Sequence, residues 1–232
     1  MLWHQPTHFS AMKEMHFFKV SLYSDFCYTN ESKFLKLCSG YETKGGVKMA
    51  VQYTNFRGDE YFLHVRKTNK GNPTYYFKKD DPDTSIDSIP EGYEIYEHPN
   101  GRVFLTKQSK RKITSEEVQL IKESMEINSP IKDYKLDIRQ KSIYLYTYEN
   151  PVPFDENPVI VEALSDPKYK TYDAQLCFTL LDKNTRAFQV ERKSYTGERD
   201  DQWLFLEESA DLKELVDKYV QHLGQESYFE LF

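Results

Sequence analysis

The chain has 232 residues, with 31 Lys+Arg against 37 Asp+Glu and a formal charge of −6. Hydrophobic residues make up 39% and charged residues 29%, a balance that excludes disordered, fibrous and collagen-like chains. No apolar run approaches the roughly 20 residues of a membrane-spanning helix, and the negative balance restricts any nucleic-acid role to a local basic patch.

Eighteen Tyr and fifteen Phe bring the aromatic share to 15%, which favours β-rich packing over a helical bundle. Cys27, Cys38 and Cys177 are odd in number, widely spaced and without a C-x-x-C pair. That spacing argues against a disulfide framework and a thiolate zinc site, and it fits a reducing cytoplasm. No cofactor is expected.

Residues 1–48 show neither helical nor alternating periodicity, and they lack the basic start of a signal peptide. Written as codons, Lys44-Gly45-Gly46 spells a bacterial ribosome-binding site shortly upstream of Met49. This reading places the natural start at Met49 and makes 1–48 a doubtful extension, from which few long-range contacts are expected.

Tyr61 to Lys79 holds two aromatic, β-prone runs around Asn69-Lys70-Gly71-Asn72, which predicts a hairpin. An acidic loop follows, then a second hairpin from Gly92 to Lys107 that turns at Pro99-Asn100-Gly101. The two are expected to share one four-stranded antiparallel sheet. Thr114-Ser115-Glu116-Glu117 fits a capping box. With Val118, Ile121 and Met125 it predicts a helix over 115–126. Tyr134 to Tyr148 reverts to alternation, a strand pair around Arg139-Gln140-Lys141.

Pro151, Pro153, Pro158 and Pro167 mark 151–167 as a Pro- and acid-rich linker. Beyond it, Ala174–Leu181 and Ala187–Ser194 predict a third hairpin, and Trp203–Leu206 a short strand. Ser209 is the expected cap of a helix with the apolar stripe Leu212, Leu215, Val216, Tyr219, Val220 and Leu223. The fold class read from these elements is α+β: antiparallel β-hairpins with two or three amphipathic helices. Two small units are expected, 49–150 and 168–232.

Three patterns bear on function. The first is a basic, aromatic hairpin surface. Arg66, Lys67, Lys70, Lys78 and Lys79 lie in an acid-free stretch beside Tyr76, and Arg102, Lys107, Lys110 and Arg111 lie in another. Cations beside stacking rings suit a nucleic-acid backbone and its bases, so the expected function is non-enzymatic binding, with nucleic acid as the partner. On this reading Phe77 and Phe104 are core and Tyr76 stacks, because neighbours on a strand point to opposite faces.

The second pattern is Asp173 before one strand and Glu191-Arg192-Lys193 ending the next. It resembles the core of the restriction-endonuclease-like nucleases. The resemblance implies two carboxylates, Asp173 and Glu191, on a magnesium or manganese ion, with Lys193 stabilising charge. The third is an acidic C-terminal region: residues 194–232 hold ten Asp+Glu against three Lys+Arg, a candidate surface for a protein partner. Separately, Ile89-Pro90-Glu91-Gly92-Tyr93-Glu94 and Asn100-Gly101-Arg102-Val103-Phe104 resemble the first two strands of a WW domain over about 16 residues. Tyr93 replaces the family's first Trp, and a helix begins where its ligand-binding Trp would fall, so the likeness implies a hairpin and no proline groove.

Overall fold

The computed structural model describes residues 37–43, 46–79, 85–148, 166–194 and 202–232. The first strands, β1 (Leu37–Thr43), β2 (Gly46–Thr54), β3 (Glu60–Lys67) and β4 (Pro73–Lys78), form an antiparallel meander in that order. A two-stranded ribbon follows, β5 (Tyr93–Glu97) with β6 (Val103–Lys107), and then helix α1 (Ser115–Asn128). The second sheet takes the remaining strands, again as a meander: β7 (Tyr134–Ile138), β8 (Ser142–Tyr148), β9 (Tyr172–Leu180), β10 (Phe188–Lys193) and β11 (Trp203–Ser209). Helix α2 (Leu212–Val220) comes last, before a short 3₁₀ turn. The expected α+β class with antiparallel hairpins is what the chain forms.

Local chemistry accounts for the boundaries. Thr114 Oγ1 accepts from the Glu117 amide while the Glu117 carboxylate accepts from the Thr114 amide, the predicted capping box. The cap of α2 is Asp211 rather than Ser209. Ser209 is still paired with Phe188 across β10–β11, so its backbone is extended and the helix starts only after Asp211. The apolar stripe on α2 is buried throughout, together with Ile121 and Met125 of α1. They pack on Ile143, Leu145, Leu176, Phe178, Phe188 and Val190, one face of the second sheet. Each such side chain contributes about 1.5–3 kcal/mol on burial.

This core corrects the expected division into units at 49–150 and 168–232. Strands β8 and β9 are neighbours in one sheet although the 151–167 segment separates them. Residues 33–232 form one compact unit. The apolar faces of β7–β8 and β9–β11 are each half of a single core, and α1 and α2 lie side by side on it. Asp217 of α2 accepts from Ser124 (2.6 Å) and Asn128 (2.8 Å) of α1. The predicted linker lies outside the described residues, apart from Asp166 and Pro167.

The first two predicted hairpins do not share a sheet. Where β2 and β3 diverge, beyond the Gln52–Phe62 pair, the chain returning from β4 inserts Ser85 and Ile86. The Ile86 amide donates to Leu63 O (2.8 Å) and the Val51 amide donates to Ile86 O (2.9 Å). The path therefore crosses to the far side of β3, and β5–β6 meets β4 through side chains, the Tyr75 and Tyr93 rings edge-on at 5.4 Å, without pairing to it. Within the stretch read as a doubtful extension, residues 37–43 and 46–48 form β1 and the head of β2, and Met49 pairs with Gly40 in mid-strand. The rest of 1–48 lies outside the described residues.

The β5–β6 ribbon is fastened to both sheets. Glu97 accepts from the Tyr53 hydroxyl and from the Phe56 amide (3.0 Å), and Asn100 bonds the backbone of Tyr172. Its turn requires glycine at 101: φ is +77°, and a Cβ there would stand 2.9 Å from Asn55 Nδ2. The ribbon thus overhangs the second sheet on the face opposite the helices.

Candidate ligand-binding surfaces

Register divides the predicted basic surface between two faces of β3–β4. Phe62, His64, Arg66, Thr74, Tyr76 and Lys78 alternate onto one face, while Lys67 and Lys79 fall on the other with Tyr61, Tyr75 and Phe77. Tyr76 is 40% exposed. Its ring stacks on the buried His64 ring at 5.5 Å and 21°, with the Arg66 guanidinium 5.8 Å from its centroid. Phe77 is half-buried rather than core; its cross-strand partner Leu63 takes the core position. Lys79 is occupied by a 2.9 Å ion pair with Asp59, which raises its pKa and lowers that of Asp59. Lys70 is exposed in the turn.

On the second hairpin Arg102 and Lys110 are exposed, and Phe104 is 45% exposed rather than core. Val103 takes the buried side of β6, so alternation turns Phe104 outward, where it stacks on Tyr96 at 6.2 Å. Lys107 and Arg111 line a cavity of about 380 Å³ together with Tyr96, His98 and Arg139, between the ribbon and the end of β7.

Arg139 separates that cavity from a second one. The register aligns Asp137, Tyr144, Cys177, Glu191 and Phe205 in one row across all five strands. Asp137 is buried, its side chain 1% exposed, and it accepts from Arg139 Nε at 3.0 Å. The Arg139 guanidinium lies 4.2 Å over the Tyr144 ring, and Tyr144 meets Trp203 of β11 edge-on at 5.6 Å. Because β9 and β10 lie between them, the two rings lean together over the middle of the sheet. Beside them is the second cavity, about 360 Å³, walled by Tyr144, Tyr146, Tyr172 and Trp203 and charged by Arg139, Lys193 and Asp173.

Burial, then the nearby Asp137, raises the Tyr96 and Tyr146 phenols, so both stay protonated donors. Burial lowers the pKa of His98, whose Nδ1 accepts from the Asn100 amide at 3.1 Å. The imidazole is therefore neutral near pH 7.

Of the nuclease-like set, Asp173 and Lys193 share the second cavity, and Glu191 does not line it. Glu191 pairs with Cys177, four residues from Asp173 along β9. At about 3.3 Å per residue that is about 13 Å, whereas two carboxylates on one cation each place an oxygen about 2.0–2.6 Å from it. Among the described residues no group of three His, Cys, Asp or Glu is placed to hold a metal.

Three of the seven C-terminal acids among the described residues are engaged within the fold, while Glu208, Glu214, Glu226 and Glu230 are exposed. Asp217 pairs with Lys213, Glu207 accepts from Lys218 (2.6 Å) and Tyr219 (2.8 Å), and Asp211 caps α2. No helix among the described residues is long and apolar enough to cross a membrane.

Sequence reasoning missed Asp137, Arg139, Tyr144 and Trp203. Tyr144, Tyr146 and Tyr148, spaced at two, were a readable signal of an aromatic strand face. Their junction with Trp203 was not readable, since it depends on the order of four strands. The chain matches no family model, no curated protein and no solved structure.

Proposed function

We propose that the protein is a non-enzymatic binding protein of the bacterial cytoplasm that holds single-stranded nucleic acid on the basic, aromatic face of β3–β4. The observation that supports this most is the stack of Arg66, Tyr76 and His64, with the tyrosine ring exposed. A base extends such a stack whatever its identity, because every base has a flat π-face. Arg66 and Lys78 lie on that same face and Lys70 at its end, where they meet phosphates. The cytoplasmic placement rests on the cysteine spacing.

Binding of a fluorescent oligonucleotide, measured against salt, tests the reading. Affinity is expected to fall steeply as salt rises, and Tyr76→Ala to weaken binding with the melting temperature nearly unchanged. No binding of single-stranded DNA or RNA at low salt would overturn it.

A further inference from the structure

The two cavities that meet at Arg139 lie on a different sheet from Tyr76 and have a more enclosed chemistry. Four cations line them, Lys107, Arg111, Arg139 and Lys193, against two carboxylates, Glu94 and Asp173. Glu94 already faces Arg111 at 3.7 Å. With the buried Asp137 that holds Arg139 also counted, the local balance is one positive charge, in a chain that is negative overall. Arg139 is also held in place: the buried Asp137 takes its Nε, and the Tyr144 ring supports its flat side. Its side chain nevertheless remains 51% exposed, so the outer edge of the guanidinium fork stays open to a ligand.

A ligand matching this arrangement has a flat ring system at one end and an anion at the other. We propose that the cleft is a nucleotide site, with the base against the Tyr144–Trp203 wall and the phosphate taken by Arg139 and Lys193. The 360 Å³ cavity falls in the size range of small-molecule sites. Asp173 at its rim accepts a sugar hydroxyl or an exocyclic amine and repels phosphate from that end, which fixes the orientation. A free nucleotide and a nucleotide within a strand share this chemistry. In a strand, the next phosphate reaches the adjoining cavity, beside Lys107 and Arg111.

The test uses the full chain with Trp3→Phe, leaving Trp203 as the single tryptophan. Adenosine and uridine monophosphates are expected to quench Trp203 fluorescence saturably, and the corresponding nucleosides to bind about tenfold more weakly for want of the charge-assisted bonds. Lys193→Gln, at a half-buried position, is expected to weaken mononucleotide binding about tenfold. Arg139→Lys keeps a charge beside Asp137 but loses the planar fork, and it is expected to do the same in protein that still melts cooperatively.

Weakened dinucleotide binding in Lys107→Gln/Arg111→Gln, with mononucleotide binding intact, identifies the ligand as a strand; unchanged binding of both identifies a free nucleotide. The proposal is overturned if no nucleotide quenches Trp203 up to about 10 mM, if nucleosides bind as well as nucleotides, or if Lys193→Gln has no effect. Trp203 quenching reports this cleft alone, whereas the β3–β4 surface is read by the salt dependence of oligonucleotide binding, which keeps the two outcomes separate.

Discussion

The side-chain amide of Asn100 brackets the backbone of Tyr172, donating to its carbonyl at 2.9 Å and accepting from its amide at 2.7 Å. It stands in for a strand residue and so ties the tip of the β5–β6 ribbon to the first residue of β9. The overhang on the open face of the second sheet is positioned through this bracket and Glu97, together with Asn55, which donates to Gly101 O at 2.8 Å, and Lys135, which donates to Pro99 O at 3.1 Å.

Asn100→Ala removes both bonds and leaves the Tyr172 backbone without them. A loss of about 2 kcal/mol is expected, read as a fall in melting temperature of about 4–8 °C. Thermal unfolding followed by circular dichroism checks it, with exposed Arg102→Gln as the near-neutral control.

The shared core predicts one unfolding transition. Leu145→Ala on β8 and Leu215→Ala on α2 are each expected to cost about 2–5 kcal/mol and to shift the same transition, although the two residues fall on opposite sides of 151–167. Two separate transitions in denaturant, each moved by only one of the variants, would contradict a single core.

His98 gives a pH dependence with a definite sign. Burial lowers its folded pKa below the ordinary value of 6.5, so its contribution to stability is fully present above that value. As pH falls through about 6.5, the unfolded chain takes up the proton first and stability drops until the folded pKa is passed. Protonation also disables the Nδ1 that accepts from Asn100. In urea titrations between pH 7.5 and 5.5, His98→Gln is expected to flatten this part of the profile. The acid-side loss from Asp59 and Glu207, whose pKa values are lowered mainly by Lys79 and Lys218, should remain at lower pH.

The cations of β3–β4 are not equivalent. Arg66→Gln and Lys78→Gln should each reduce the slope of log affinity against log salt by about 0.7 if each neutralises one single-strand phosphate. Lys79→Gln should leave that slope almost unchanged, because Lys79 already faces Asp59. Equal effects from all three would mean that the face bearing Tyr76 is not the one that binds.

Much of this fold could be read locally. Asn100-Gly101 announced its hairpin, Thr114 and Glu117 their capping box, and Leu212 to Leu223 the buried stripe of α2, because each signal spans a dozen residues or fewer. What failed depended on distant neighbours. Pairing to Phe188 keeps Ser209 extended and moves the cap to Asp211. Insertion of Ile86 between β2 and β3 keeps the second hairpin from pairing with the first. The cleft was legible only as fragments: Lys107 and Arg111 in one basic run, Lys193 in a supposed catalytic triplet, Arg139 as a turn residue. The sheet register gathers them.

The junction at Ile86 also orders how the first sheet opens. Direct pairing of β2 with β3 covers only Gln52 to Thr54, so the amides of Val51 and Ile86 carry the fastening on the β1 side of that short ladder. In hydrogen-exchange terms these two amides form one latch. They should lose protection together, in a single sub-global event, while the Arg66–Thr74 end of β3–β4 frays at its own rate. Ile86→Pro, which deletes the donor to Leu63, converts the latch into a hinge, and Val51 should then exchange as fast as a strand end.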